Sequence, residues 1–160
     1  MVELILMRHA AALPAAIGAT DFERPLSAPG RSAAAHAARR LSTAGVNVER
    51  LIYSPARRTR ETAAIVAGEL SLEAPALQSV PELYGASPHA IRQAIERFHG
   101  EARTLMVIGH NPGITDFGRE LAPGRSHDLL PTAAFWRLPF DAAGWHDLTR
   151  RGGSEVHVED

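Results

Sequence analysis

Four residues of this sequence could do chemistry together: Arg8, His9, Arg58 and His110. An arginine presents a rigid fork of N–H donors that suits the oxygens of a phosphoryl group. A neutral imidazole is a competent nucleophile toward phosphorus, and arginines beside it would bear the charge on the non-bridging oxygens during transfer. Cationic neighbours also depress a histidine's pKa, which keeps such a nucleophile unprotonated near neutral pH. A pocket holding all four would be strongly cationic in a chain whose formal net charge is only -1. Such a pocket calls for a dianion.

The elements that would position these residues are legible around them. Leu4 to Met7 is an uninterrupted apolar run, which predicts a strand buried on both faces inside a parallel sheet. It ends in Arg8-His9, followed by the small residues Ala10, Ala11 and Ala12. Thr104 to Ile108 predicts a second buried strand, ending in Gly109-His110-Asn111-Pro112. The carboxyl ends of strands in open α/β sheets border the ligand crevice, so each strand delivers a histidine there. Arg58 would arrive on a helix begun by Ser54 at N-cap and Pro55 at N1. Arg58, Thr62 and Ile65 share one stripe, which turns Arg58 inward. Arg57, four residues from Glu61, pairs with it on the solvated face, and Arg60 is solvated too. Predicted helix N-termini beside Arg58 and His110 add N–H groups and partial positive charge.

The rest of the chain alternates in the same manner. Residues 10–26 form a loop punctuated by Pro14, Gly18 and Pro25, carrying Asp21, Glu23 and Arg24. Ser27 caps a helix with Pro29 at its second position, running to about Ala44, with Gly45 as its C′ residue. Leu51 to Tyr53 and Leu77 to Val80 read as short strands. Ser87-Pro88 starts a helix whose apolar face is Ile91, Ala94, Ile95 and Phe98, stopped by Gly100. Asn111-Pro112 caps another, with Ile114, Phe117 and Leu121 inward. Ala133 to Leu138 and Trp145 to Leu148 predict a hairpin around residues 141–144, with Trp136 and Trp145 as core. His89, His99, His127, His146 and His157 are expected at the surface. The alternation predicts one α/β domain, residues 1–149, with a mostly parallel sheet, followed by a polar tail, residues 150–160.

Bulk properties narrow the function. At 160 residues and 45% hydrophobic, the chain supports one well-formed core. The net charge gives no sign of a nucleic-acid or membrane-surface partner. Cysteine is absent, which removes disulfides, thiolate nucleophiles and thiolate metal sites. All 17 basic residues are arginine, so no arginine stands out merely by not being lysine. No signal peptide or membrane-length apolar window is visible, and a cytoplasmic monomer is expected.

Arg8-His9 after a buried strand resembles the R-H-G signature of the histidine phosphatase superfamily. Residues 54–62, from Ser54-Pro55 through Arg58 to Thr62, are similar to that family's S-P-x-x-R-x-x-x-T segment, and residues 109–112 to its G-H-N-P segment. The length and the stretch 24–30, Arg-Pro-Leu-Ser-Ala-Pro-Gly, look most like the small SixA-type phosphohistidine phosphatase branch. The resemblance covers residues from about 3 to 140, in order. It implies a three-layer, phosphoglycerate mutase-like sandwich and a metal-independent phosphatase without cofactor. It also implies that His9 is phosphorylated, that Arg8 and Arg58 bind the phosphoryl group with Arg24 as a further contact, and that His110 stabilises the transferring group. The implied partner is a phosphohistidine protein or a small phosphate ester.

Two positions depart from the family pattern. Ala10 replaces the usual glycine, which requires ordinary φ and ψ there. The carboxylic acid that many members use as proton donor would fall on Gly85, and Glu82, three residues earlier, is the substitute within reach in sequence. Four other readings compete with a phosphohistidine phosphatase: a general phosphomonoesterase, a phosphoglycerate mutase, for which the chain is short and position 85 is glycine, a non-catalytic phosphoryl-binding module on the same fold, and a metal site. The last is disfavoured, since the arginines would repel the ion and no carboxylate pair lies near either histidine in sequence.

Overall fold

The apolar run Leu4–Met7 forms the middle of β1 (Val2–Arg8), and all four side chains are fully buried. In the computed structural model, which describes residues 1–124 and 128–150 (149 and 150 by backbone alone), this strand lies between two others. The chain continues through α1 (Ala28–Thr43), β2 (Arg50–Tyr53), α2 (Arg57–Glu69), β3 (Leu77–Ser79) and α3 (Pro88–Phe98). It then forms β4 (Thr104–Gly109), α4 (Gly113–Leu121), β5 (Phe135–Phe140) and α5 (Trp145–Arg150). The sheet order is β3-β2-β4-β1-β5, parallel except for β5, which runs antiparallel to β1. The segments 125–127 and 151–160, which include His127, His157 and nearly all of the expected tail, lie outside the described residues.

Alternating side chains along the central strands feed two separate cores, as a pleated sheet covered on both faces requires. Ile5, Met7, Leu51, Met106 and Ile108 pack against the alanine-rich face of α1 and against α2. Leu4, Leu6, Ile52, Leu105 and Val107 pack against α3, α4 and α5 in a core that holds the large residues Phe117 of α4, Trp136 of β5 and Trp145 of α5. The result is the expected three-layer sandwich. Ser27 and Ser87 cap α1 and α3 as expected, accepting from Gly30 N (3.0 Å) and Ala90 N (3.2 Å). Gly45 ends α1 at φ +72.

Three local expectations are corrected. The predicted late hairpin does not form: β5 instead pairs with β1 along its whole length, and Trp145 starts α5. Trp145 is buried as expected, but from a helix, with its indole N–H donating to Ala102 O at 2.6 Å. Ser54 does not cap α2, which starts at Arg57 after Ala56, because its hydroxyl lies against His110. Asn111 does not cap α4, because its amide donates to Leu130 O and its carbonyl oxygen accepts from the Thr115 hydroxyl.

The start of α4 is tight. A Cβ on Gly113 would lie 1.9 Å from the Ala86 carbonyl oxygen, which is backbone and cannot step aside. Gly113→Ala should therefore destabilise by roughly 1–3 kcal/mol, as overpacking does. Gly68, on α2 with open space around its Cα, should gain roughly 0.5–1 kcal/mol as alanine. Urea unfolding of the two variants checks the opposite signs.

Candidate active site

The register of β1 on β4 pairs Arg8 with Gly109, so the next residues, His9 and His110, meet at the carboxyl edge of the sheet. Their ring centroids are 5.3 Å apart. His9 is held through its backbone on both sides, with its N–H donating to Gly109 O and its carbonyl accepting from Ala133 N. Ala10 is fully buried with no positive φ, so alanine fits where the family pattern has glycine. Its N–H donates to Thr62 Oγ1 at 3.1 Å, and the Thr62 hydroxyl donates in turn to Arg58 O at 2.7 Å. Thr62 thus ties the loop after β1 to the turn of α2 that carries Arg58.

Arg58 points inward, as the helix stripe predicts, and is only 7% exposed. Its Nε donates to His9 Nε2 (3.3 Å) and its Nη2 to His110 Nδ1 (3.3 Å). At the end of the fork, Nη1 donates to the Asp21 carbonyl (2.8 Å) and Nη2 to the Asp21 carboxylate (3.1 Å). Arg57 pairs with Glu61 on the solvated side at 3.0 Å. Glu61 also accepts from Leu26 N at 2.7 Å, which anchors the end of the 10–26 loop to α2.

These contacts assign the tautomers. The neighbour of His9 Nδ1 is the Ala10 carbonyl at 2.8 Å, which can only accept, so Nδ1 carries the proton and Nε2 keeps its lone pair. The Arg58 N–H facing His110 Nδ1 can only donate, so the His110 proton sits on Nε2, which donates to Ser54 Oγ at 2.7 Å. Both imidazoles are pushed well below their ordinary range. Burial is the main cause for His9, reinforced by the charges of Arg58, Arg8 and Arg24, and its pKa falls to about 4. Burial is also the main cause for His110, followed by His9 and Arg58, and its pKa falls to about 3.

Arg8 donates from Nη1 to Leu130 O at 3.2 Å, and its Nε is buried without a hydrogen-bond partner. A buried donor left without an acceptor is costly, and an anion in this pocket would supply the acceptor. Leu130 is fixed from the other side: its carbonyl also accepts from Asn111 and its N–H donates to Thr115 Oγ1. Arg24 stands at the mouth, donating to Leu13 O (2.9 Å) and to the Asp21 carboxylate (3.2 Å).

Glu82 is not brought to this site. The turn Pro81–Leu83 buries Leu83 in the core and leaves the Glu82 side chain 57% exposed, paired with Arg97 at 3.6 Å. Gly85 has φ +62, a conformation that favours glycine and explains why no side chain stands there. Two residues passed over by sequence reasoning do reach the site. Asp21 lies on Arg58 and Arg24, and Tyr84 donates its hydroxyl to Asp21 at 2.8 Å. Tyr84 also packs edge-on against Phe22 and His110. The Asp21–Glu23 turn is internally braced, Glu23 accepting from Thr20 N at 3.1 Å. Among the described residues no group of three or more His, Cys, Asp or Glu could hold a metal ion, and no helix is long and apolar enough to cross a membrane.

Comparison with known proteins follows the same lines. The model of the histidine phosphatase superfamily (branch 1) matches residues 4–104. The phosphohistidine phosphatase SixA of Escherichia coli is 30% identical over 146 residues, covering 89% of this chain and 88% of that protein. A structure of a candidate SixA from Nakamurella multipartitia superposes with a TM-score of 0.82 at 29% identity, over 99% of this chain and 93% of that one. A protein histidine phosphatase SixA complexed with tungstate gives 0.77 at 26% identity, over 88% and 89%. The chain spans 54% of the length of one curated relative and 63% of another.

The depressed imidazoles make stability depend on pH with a definite sign. An unfolded histidine takes up a proton near 6.5, while His9 and His110 in the fold do so only near 4 and 3. Between these values the unfolded state binds more protons, so stability is full above pH ~6.5 and falls as pH drops below it. The loss should be roughly 1 kcal/mol per pH unit for each imidazole. Urea unfolding across pH ~6.5 to ~4.5, above the carboxylate range, should show this slope, and His110→Gln should remove about half of it.

Proposed function

Because this chain belongs to branch 1 of the histidine phosphatase superfamily, we propose that it is a metal-independent phosphatase that passes its substrate's phosphoryl group through His9 and acts on phosphohistidine in proteins. One observation carries the reading. The Ala10 carbonyl holds the proton on His9 Nδ1, which leaves the Nε2 lone pair facing the side edge of the Arg58 fork, with His110 on the same edge. A phosphoryl group placed on that edge takes Nε and Nη2 as donors and frees Nε2 to attack phosphorus in line.

The remaining residues divide the charge. Arg8 offers its unpaired Nε to a second oxygen, and Arg24 adds charge from the mouth. His110 gains a proton on Nδ1 as the dianion enters, because an adjacent negative charge raises its pKa, and then donates to a third oxygen. Water next attacks the phosphorus of phospho-His9, releasing inorganic phosphate and restoring the imidazole. Positive charge from arginine does here what a bound cation does in metal-dependent phosphatases.

Phosphohistidine suits a site with glycine at position 85. Its leaving imidazole is protonated near pH ~6.5 by solvent, and transfer to His9 exchanges one N–P bond for another. Departing alkoxides are far more basic and depend strongly on a positioned acid.

The test is turnover of a phosphohistidine protein, an aryl phosphate and an alkyl phosphate side by side, with the phosphohistidine protein expected to be the best substrate. His9→Ala should abolish turnover and the acid-labile phosphoenzyme. A His9→Ala enzyme that kept more than a small fraction of wild-type rate would refute the assignment. Arg58→Ala should cost on the order of 2–4 kcal/mol of transition-state stabilisation, and Arg57→Ala less than about 1 kcal/mol. Activity should survive exhaustive chelation, and vanadate and tungstate should inhibit as mimics of phosphorus in transfer.

A further inference from the structure

Asp21 is the one carboxylate, among the described residues, that touches the Arg58 guanidinium. Arg58 uses two edges. Its side edge, Nε and Nη2, faces His9 and His110; its end, Nη1 and Nη2, faces the carbonyl and carboxylate of Asp21. A phosphoryl group on the side edge therefore leaves Asp21 in place, sharing Nη2 with it. Asp21 stands on the solvent side, with its side chain 52% exposed while that of Arg58 is 8% exposed. A leaving group opposite His9 must depart toward solvent, past this carboxyl. The two other candidates for an acid are removed, Glu82 to Arg97 and Gly85 by its lack of a side chain.

From this placement we infer that Asp21 is the proton donor to the leaving group, and that it extends the enzyme's substrates to phosphate monoesters of alcohols. This inference rests on His9 being the nucleophile. The His9 Nε2 lone pair forms the N–P bond, the P–O bond to the alcohol breaks, and the departing oxygen takes the proton from the Asp21 carboxyl. The products are the alcohol, phospho-His9 and the Asp21 carboxylate. In the second half-reaction water supplies its oxygen to phosphorus and a proton to Asp21, and His9 is restored.

The carboxyl must be loaded with its proton when the substrate arrives. The groups that face it are Tyr84 from the loop after β3, Arg24 from its own turn, Arg58 from α2 and His110 from the end of β4. The Tyr84 hydroxyl above all, then Arg24 and Arg58, hold it down to about 2 while no phosphoryl group is present. A dianion sharing Arg58 Nη2 reverses this, because a like charge at contact distance favours the neutral acid. Substrate binding thus loads the acid, which stays a carboxylate when no leaving group is at hand.

The experiment is a series of phosphate monoesters of rising leaving-group pKa, from 4-nitrophenyl through phenyl to alkyl, with phosphohistidine protein alongside, in wild type and Asp21→Asn. Asp21→Asn should lower kcat/KM on the order of 100- to 1000-fold for the alkyl ester, but less than about 10-fold for 4-nitrophenyl phosphate and phosphohistidine. Asp21→Glu should restore part of the alkyl activity. Tyr84→Phe removes a donor that favours the carboxylate, so the alkaline limb of the kcat–pH profile for the alkyl ester should move to higher pH. An equal loss across the whole series would overturn the inference and make Asp21 a positioning residue for Arg58. A gain across the series would overturn it too, making Asp21 a competing anion. Trapping of phospho-His9 in the same reactions reports separately on the nucleophile, so failure there is distinguished from failure at Asp21.

Discussion

A guanidinium that is 7% exposed has lost hydration worth several kcal/mol, and Arg58 is such a group. Each of its nitrogens must therefore meet an acceptor, and each acceptor is constrained in return. Two imidazoles facing its side edge can do so only by presenting lone pairs, which makes both neutral and settles the tautomer of each. The end of the fork draws the Asp21 turn over the pocket. Thr62 controls where the fork points, since one hydroxyl joins Arg58 O to Ala10 N and so links the helix to the loop that follows His9. His9, His110 and the Asp21 turn are arranged around this one buried charge.

The sheet brings these parts together by register. With Arg8 opposite Gly109, a shift of one residue between β1 and β4 would separate His9 from His110 and exchange the side chains of the two cores. Both faces are apolar, so polarity alone would not resist the shift. The cores differ in size, however: alanines of α1 line one face, whereas Phe117, Trp136 and Trp145 fill the other. A packing mismatch of that kind is costly in a close-packed interior. Discrimination by side-chain volume far from the pocket thereby sets a 5.3 Å ring separation within it.

Local signals announced what depends on local rules. The buried strands, the serine caps of α1 and α3, and the inward turn of Arg58 all follow from periodicity or capping, and the structure contains each of them. Where a side chain had two possible uses, sequence proximity pointed to the wrong one. Ser54 and Asn111 look like helix caps, yet their polar atoms go to His110 and to Leu130 and Thr115, because buried polar groups far apart in the chain need partners. The late hairpin fails for a related reason: the open side of β1 offers a full ladder to β5, which a short local turn cannot match. Asp21 and Tyr84 were illegible because 63 residues separate them and neither belongs to a periodic segment. The family pattern places an acid after β3, where this chain has Gly85, whereas the carboxylate that meets Arg58 comes from the loop after β1.

In the proposed reaction, a cationic pocket with a neutral nucleophile has opposite requirements before and after the substrate enters. Before, desolvation and the arginines keep His9 and His110 unprotonated, and the Asp21 carboxylate balances part of the charge. After, two negative charges at the same place favour a proton on every group that faces them, except that His9 Nε2 is occupied in bonding to phosphorus. The incoming charge outweighs the burial and cationic neighbours that kept His110 neutral, so it can donate, and it opposes the Tyr84 hydrogen bond and the arginines that kept Asp21 ionised. No domain closure is needed for this change. The ligand's own charge alters the protonation of the site, and release of phosphate restores it. The fold's part is to hold Arg58 rigid throughout, so that the energy of binding an anion goes into moving protons rather than side chains.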